Sequence, residues 1–161
     1  MRKGEVSELA IRYDHIDKTV DELVQEHGTR NPYEIAEEKN IFVVEENLGD
    51  IYGYYQKRFQ IKLIHLNKEL DEHFGRFTCA HELGHALLHP NENTPKLLQK
   101  SLNEGVLIEG EANYFGLKLL IDGSHLEEDS LDTTEKILAY YGLPLELERL
   151  LKKTPFTRHL T

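Results

Sequence analysis

Residues 76–89 read Arg-Phe-Thr-Cys-Ala-His-Glu-Leu-Gly-His-Ala-Leu-Leu-His, and the H-E-x-x-H stretch within them, His81-Glu82-Leu83-Gly84-His85, limits what this chain can fold into more than any other feature. On an α-helix, residues four apart differ by roughly 40° in azimuth and about one turn in height, so two imidazoles at that spacing leave one face and close on one ion. The motif therefore requires a helix. Glu82 leaves the helix on a different side, poorly placed to join the histidines as a ligand but within reach of a water held at the metal, where a general base for hydrolysis belongs. With 9 His and 29 Asp plus Glu among 161 residues, H-[D/E]-x-x-H arises by chance about 0.09 times per chain, so the context has to decide. Phe74, Phe77 and Leu88 recur with the histidines at helical spacing, with Thr78 and Gly84 as small residues between them. That pattern predicts a helix over 72–89, capped by Asp71, with the histidine pair on its buried side. Two rings buried without a metal would each need hydrogen-bond partners, which makes a plain core helix the poorer account.

A catalytic zinc site keeps three protein ligands and leaves the fourth position for water. A third histidine six residues after the second is excluded, because Asn91 stands there. His89 lies eight residues from His81, about 12 Å along a helix axis, and Pro90 stops the helix, so His89 is read as a helix C-terminal histidine favoured by the dipole. Residues 107–117 (LIEGEANYFGL) predict a second helix whose apolar stripe is Ile108, Ala112, Phe115 and Leu119. Glu109, Asn113 and Gly116 flank this stripe, whereas Glu111 shares a side with Leu107, Tyr114 and Lys118. Glu109 is accordingly the favoured third ligand, with Glu111 the alternative. Asn113, one turn beyond Glu109, is placed to hydrogen-bond a ligand and fix its orientation.

On the R-F-T-C-A-H-E-L-G-H-A-L-L-H run, on Glu109-Gly110-Glu111-Ala112-Asn113-Tyr114-Phe115-Gly116, and on a hairpin pattern around 51–55 and 61–67, the chain resembles the ImmA/IrrE-type metallopeptidases of bacteria and their mobile elements. The resemblance spans about residues 30–150. It implies a zinc site of two His and one Glu carried by a helix pair. It also implies a helix-turn-helix repressor as substrate, whose cleavage switches on an integrated element, a prophage or a stress regulon. After Phe115 the chain runs Gly-Leu-Lys-Leu-Leu-Ile-Asp-Gly, where relatives usually have Ala-x-x-Leu-Leu-Met-Pro, so the exit from the second helix departs from the pattern.

The remaining signals predict an α+β, zincin-like domain over 1–161. A helix is expected over 17–27, from Asp17 to Gly28, and another from the Asn31 cap and Pro32 to near Asn40. Strands are expected over 41–44, 51–55 and 60–66, forming a small, mostly antiparallel three-stranded sheet against the helix pair. The 60–66 strand reads either as a sheet edge on which an extended peptide could pair or as an interior strand. Residues 90–95 read as a loop between the two site helices. Residues 132–153 predict a helical hairpin about Gly142; its second helix opens with Glu146 and Glu148, which phosphates would repel, so packing is preferred to DNA binding.

A hydrophobic content of 39% suffices for a core. No apolar run of membrane-spanning length occurs, the start Met1-Arg2-Lys3-Gly4-Glu5 leads into a polar stretch, and Cys79 is the single cysteine. These features predict a cytoplasmic protein, with Cys79 a small core residue. A net charge of −10 disfavours direct binding to nucleic acid; it serves solubility and would also steer a basic partner. The expected function is a zinc-dependent endopeptidase in which Zn2+ is held by His81, His85 and Glu109 and Glu82 is the catalytic base. Tyr114 or a hairpin tyrosine is a candidate oxyanion donor, although core packing suits each of them better. A catalytically inactive anti-repressor that only binds its partner is the alternative.

Overall fold

Chain breakers and capping side chains set the element boundaries. The computed structural model describes residues 3–92, 96–98, 102 and 107–157; residues 1–2 of the polar start and 93–95 of the expected loop lie outside these. Helix α1 (Lys3–His27) begins well before the start expected at Asp17. No proline or glycine interrupts 5–27, so the helix runs through Asp17, whose carboxylate is used elsewhere: it accepts a hydrogen bond from Tyr114 Oη at 2.7 Å. Gly28, in the left-handed region at φ 66°, ends it. In α2 (Pro32–Glu38) Asn31 Oδ1 accepts from the Tyr33 amide at 3.0 Å.

Strands β1 (Ile41–Glu46), β2 (Gly53–Arg58) and β3 (Ile61–Asn67) form one sheet in the order β1-β3-β2. β2 pairs antiparallel with β3, but β1 pairs parallel with it, so the sheet is mixed and not mostly antiparallel. β3 is therefore the interior strand, which removes it as an edge for substrate. The burial explains the order. β3 carries buried Ile64, Leu66 and Asn67, whereas β2 ends in exposed Gln56-Lys57-Arg58, a charged run suited to an edge.

Asp71 Oδ1 accepts from the Phe74 amide at 2.8 Å and opens α3 (Glu72–Leu88). All ten residues from Phe77 to Ala86 are buried, so the histidines do not lie on one buried face of a half-exposed helix. α3 runs between two apolar cores. Cys79, Ala80, Leu83 and Ala86 pack with α1, α2 and the sheet, while Phe77 packs with the C-terminal region. Helix α4 (Leu107–Leu120) lies against α3 at glycine contacts: a Cβ on Gly84 would meet the Phe115 side chain at 3.0 Å, and one on Gly116 would meet Phe77 at 3.1 Å. Helices α5 (Thr134–Tyr140) and α6 (Glu148–Leu151) bury Ile137, Leu138 and Leu151 in the second core, together with Leu147 from the turn before α6. α6 is a single turn whose two leucines, Leu150 and Leu151, pack on the second core, a poor candidate for a DNA recognition helix. Among the described residues no helix is long and apolar enough to cross a membrane.

Candidate metal centre

α3 and α4 bring His81, His85 and Glu109 together. Their ligand atoms lie within 4.8 Å of one another, the only such cluster of three or more His, Cys, Asp or Glu among the described residues. His81 Nε2 and His85 Nε2 are 3.1 Å apart; Glu109 Oε1 is 2.7 Å from His85 Nε2, and Oε2 is 3.5 Å from His81 Nε2. Two nitrogens bound tetrahedrally at about 2.0–2.1 Å stand about 3.3 Å apart, so the separation suits one shared cation. Glu109 Oε2 and His85 Nδ1 are buried without a hydrogen-bond partner, and an orphaned carboxylate oxygen facing His81 Nε2 across 3.5 Å is what a cation would satisfy.

Asn113 closes the arrangement from behind. His81 Nδ1–H donates to Asn113 Oδ1 at 2.8 Å, which leaves the Nε2 lone pair facing the cluster. Burial drives the His85 pKa down to about 4 against the opposing pull of Glu109, so this ring is neutral at pH 7. Burial also works against the His81 cation, but the adjacent carboxylates of Glu109 and Glu82 outweigh it and the pKa is raised. For Glu109 burial opposes the charge, yet the two histidine rings beside it prevail and hold the carboxyl at about 2. The result is a buried, ionised carboxylate facing two ring nitrogens.

Glu82 is wholly buried, with Oε1 3.9 Å from His81 Nε2. Burial raises its pKa to about 8; His81 and the Tyr55 backbone favour the carboxylate, and Glu109 disfavours it. This contact with Tyr55 on β2 is tertiary and was not legible in the sequence. The two glutamates of α4 diverge. Glu111 Oε2 lies 3.4 Å from His89 Nε2, so Glu111 faces the end of α3 and not the histidine pair. Tyr114, buried and donating to Asp17, is committed to packing α4 on α1 and does not serve as an oxyanion donor. Cys79 is sealed in the core, and burial pushes its thiol pKa up, in keeping with an inert core residue.

A mixed sheet over two helices, with two histidines four residues apart on one and a glutamate presented by the next, defines the class of HExxH metallopeptidases. The family model of the IrrE N-terminal-like domain (Peptidase_M78) matches residues 36–150, and the chain belongs to this family. It is 36% identical over 141 residues to the uncharacterized immunity region protein 2 of Bacillus phage phi105, covering 86% of this chain and 89% of that protein. It is 33% identical over 136 residues to the metallopeptidase ImmA of Bacillus subtilis (strain 168), covering 80% and 79% respectively. No solved structure matches the chain significantly.

Proposed function

We propose that the protein is a zinc-dependent endopeptidase, with His81, His85 and Glu109 holding the ion, Glu82 as general base and Asn113 orienting His81. The observation that carries this reading is the convergence of two Nε2 atoms and one carboxylate beside a second, buried carboxylate. When bound, the ion supplies positive charge that acidifies water and polarises the scissile carbonyl. Glu82, whose carboxylate lies beside His81, then takes a proton from the attacking water and delivers it to the leaving amine. Surrounded by two cores, the site excludes bulk solvent and keeps these electrostatic interactions strong.

The substrate is a protein, a helix-turn-helix repressor of a mobile element, prophage or stress regulon, met in the cytoplasm. Kinship with a phage immunity region protein and with ImmA supports this choice. The two apolar cores that share α3 support one domain over the whole chain. The test is incubation of the purified chain with the repressor encoded beside its gene. Cleavage is expected with zinc and is lost on chelation; Glu82→Gln abolishes it while one zinc per chain remains. An intact repressor beside a zinc-loaded chain contradicts the proposal, and a Glu82→Gln chain that still relieves repression, with the repressor uncut by either form, identifies a pure anti-repressor.

A further inference from the structure

Neither the fold nor the metal centre accounts for the tip of the β2–β3 hairpin. Arg58 and Ile61 are the last paired residues, so Phe59 and Gln60 form a two-residue connection. Phe59 stands at the first central position with φ 57°, in the left-handed region where such connections favour glycine, asparagine or aspartate. A bulky side chain there is strained, and strain of this kind persists where function requires it. Packing does not offset it, because Phe59 is 85% exposed, and its neighbour Ile61 is 52% exposed. The surroundings are cationic. The Arg58 guanidinium lies 5.9 Å from the Phe59 ring centroid, and Lys57 and Lys62 flank the turn on paired strand positions. Among the described residues Arg58 and Lys62 make no ion pair, and Lys57 Nζ donates only to Asn91 Oδ1 at 3.4 Å. This basic, apolar tip stands on a chain of net charge −10. From Tyr55, whose backbone meets Glu82, β2 reaches Arg58 in three residues, about 10 Å.

We infer that the hairpin tip is a docking surface for an acidic segment of the protein substrate that carries an apolar side chain. Phe59 and Ile61 receive the apolar group, and Lys57, Arg58 and Lys62 face the carboxylates. An exposed aromatic beside guanidinium and ammonium groups is the composition of an interface anchor, and charge complementarity selects the partner. Nucleic acid is the poorer occupant: three cations on an acidic chain give little phosphate neutralisation, and the aliphatic Ile61 has no role on a phosphate backbone. The partner's being the substrate rests on the peptidase reading; the binding itself does not.

The test uses the full chain carrying Glu82→Gln and three fluorescein-labelled probes: a dodecapeptide of leucines spaced among aspartates and glutamates, the same peptide with lysine at every acidic position, and a short DNA duplex. Fluorescence anisotropy should show the acidic peptide bound at least about tenfold more tightly than the other two, with the affinity falling as salt is added. Phe59→Gly, and separately Arg58→Glu with Lys62→Glu, should each weaken the acidic peptide about tenfold or more. Glycine suits the left-handed backbone, so an unchanged or raised melting temperature for Phe59→Gly shows that lost binding is not lost folding. Equal binding of the three probes, or acidic-peptide binding indifferent to both variants, overturns the inference. Because no hydrolysis is measured, binding as expected together with a wild-type chain that leaves the repressor intact would sink the peptidase reading and leave the docking surface standing.

Discussion

Glu82 is held where its own ionisation is opposed. Burial, reinforced by Glu109, raises its pKa from 4.5 to about 8 in the metal-free protein. A folded-state pKa above the unfolded one means that the contribution to stability is fully present below about pH 4.5 and lost as pH rises through 8. Chelator-treated wild type should therefore lose melting temperature relative to metal-free Glu82→Gln between pH 5 and 9; parallel melting curves across that range would contradict the environment assigned to this side chain. Asn113 acts through the His81 ring, so Asn113→Ala should weaken zinc binding about 10- to 100-fold in a chelator competition while the fold is retained. Unaltered affinity would mean that the ring is oriented by packing alone. The histidine spacing and the phase of the apolar stripe around Glu109 were legible because helix geometry ties them directly to three-dimensional position. The His89–Glu111 and Tyr114–Asp17 contacts were not, since each joins elements whose mutual placement no local pattern encodes.

At the level of elements, the closeness of α3 and α4 depends on Gly84. Alanine is favoured over glycine within a helix by about 1 kcal/mol, but a Cβ there meets the Phe115 side chain at 3.0–3.1 Å, and overpacking typically costs about 1–3 kcal/mol. Gly75, on the same helix, has only Tyr33 Oη at 3.5 Å in its path. Gly75→Ala should thus leave stability level or raise it, and Gly84→Ala should lower it and loosen metal binding. Denaturant unfolding of the two variants checks this, and a stabilised Gly84→Ala chain would refute the packing argument. Helix starts at Asn31 and Asp71 were legible because a cap is a local hydrogen bond. Strand order was not: alternation marks a strand without naming its neighbours, and the expectation that consecutive strands pair fails for β1, which skips β2 to lie parallel to β3. The early start of α1 was hidden by Asp17, a residue typical of caps that here serves a tertiary hydrogen bond.

For the molecule as a whole, the metal cluster lies between the two apolar cores that share α3, so binding there should stabilise the entire fold. Zinc present at about 100 times its dissociation constant contributes about 2.7 kcal/mol, which for a chain of this size corresponds to a rise in melting temperature of about 5–10 °C. Chelation should reverse it. Neither the two-core plan nor the basic hairpin tip is visible in overall composition, because a net charge of −10 averages over both. The most direct measurement is the zinc content of purified wild type, Glu109→Ala and Glu111→Ala by elemental analysis. Equimolar zinc in the wild type and in Glu111→Ala, with a near-total loss in Glu109→Ala, is the predicted result; a folded wild type that takes up no zinc, or a Glu109→Ala chain that keeps it, contradicts the account.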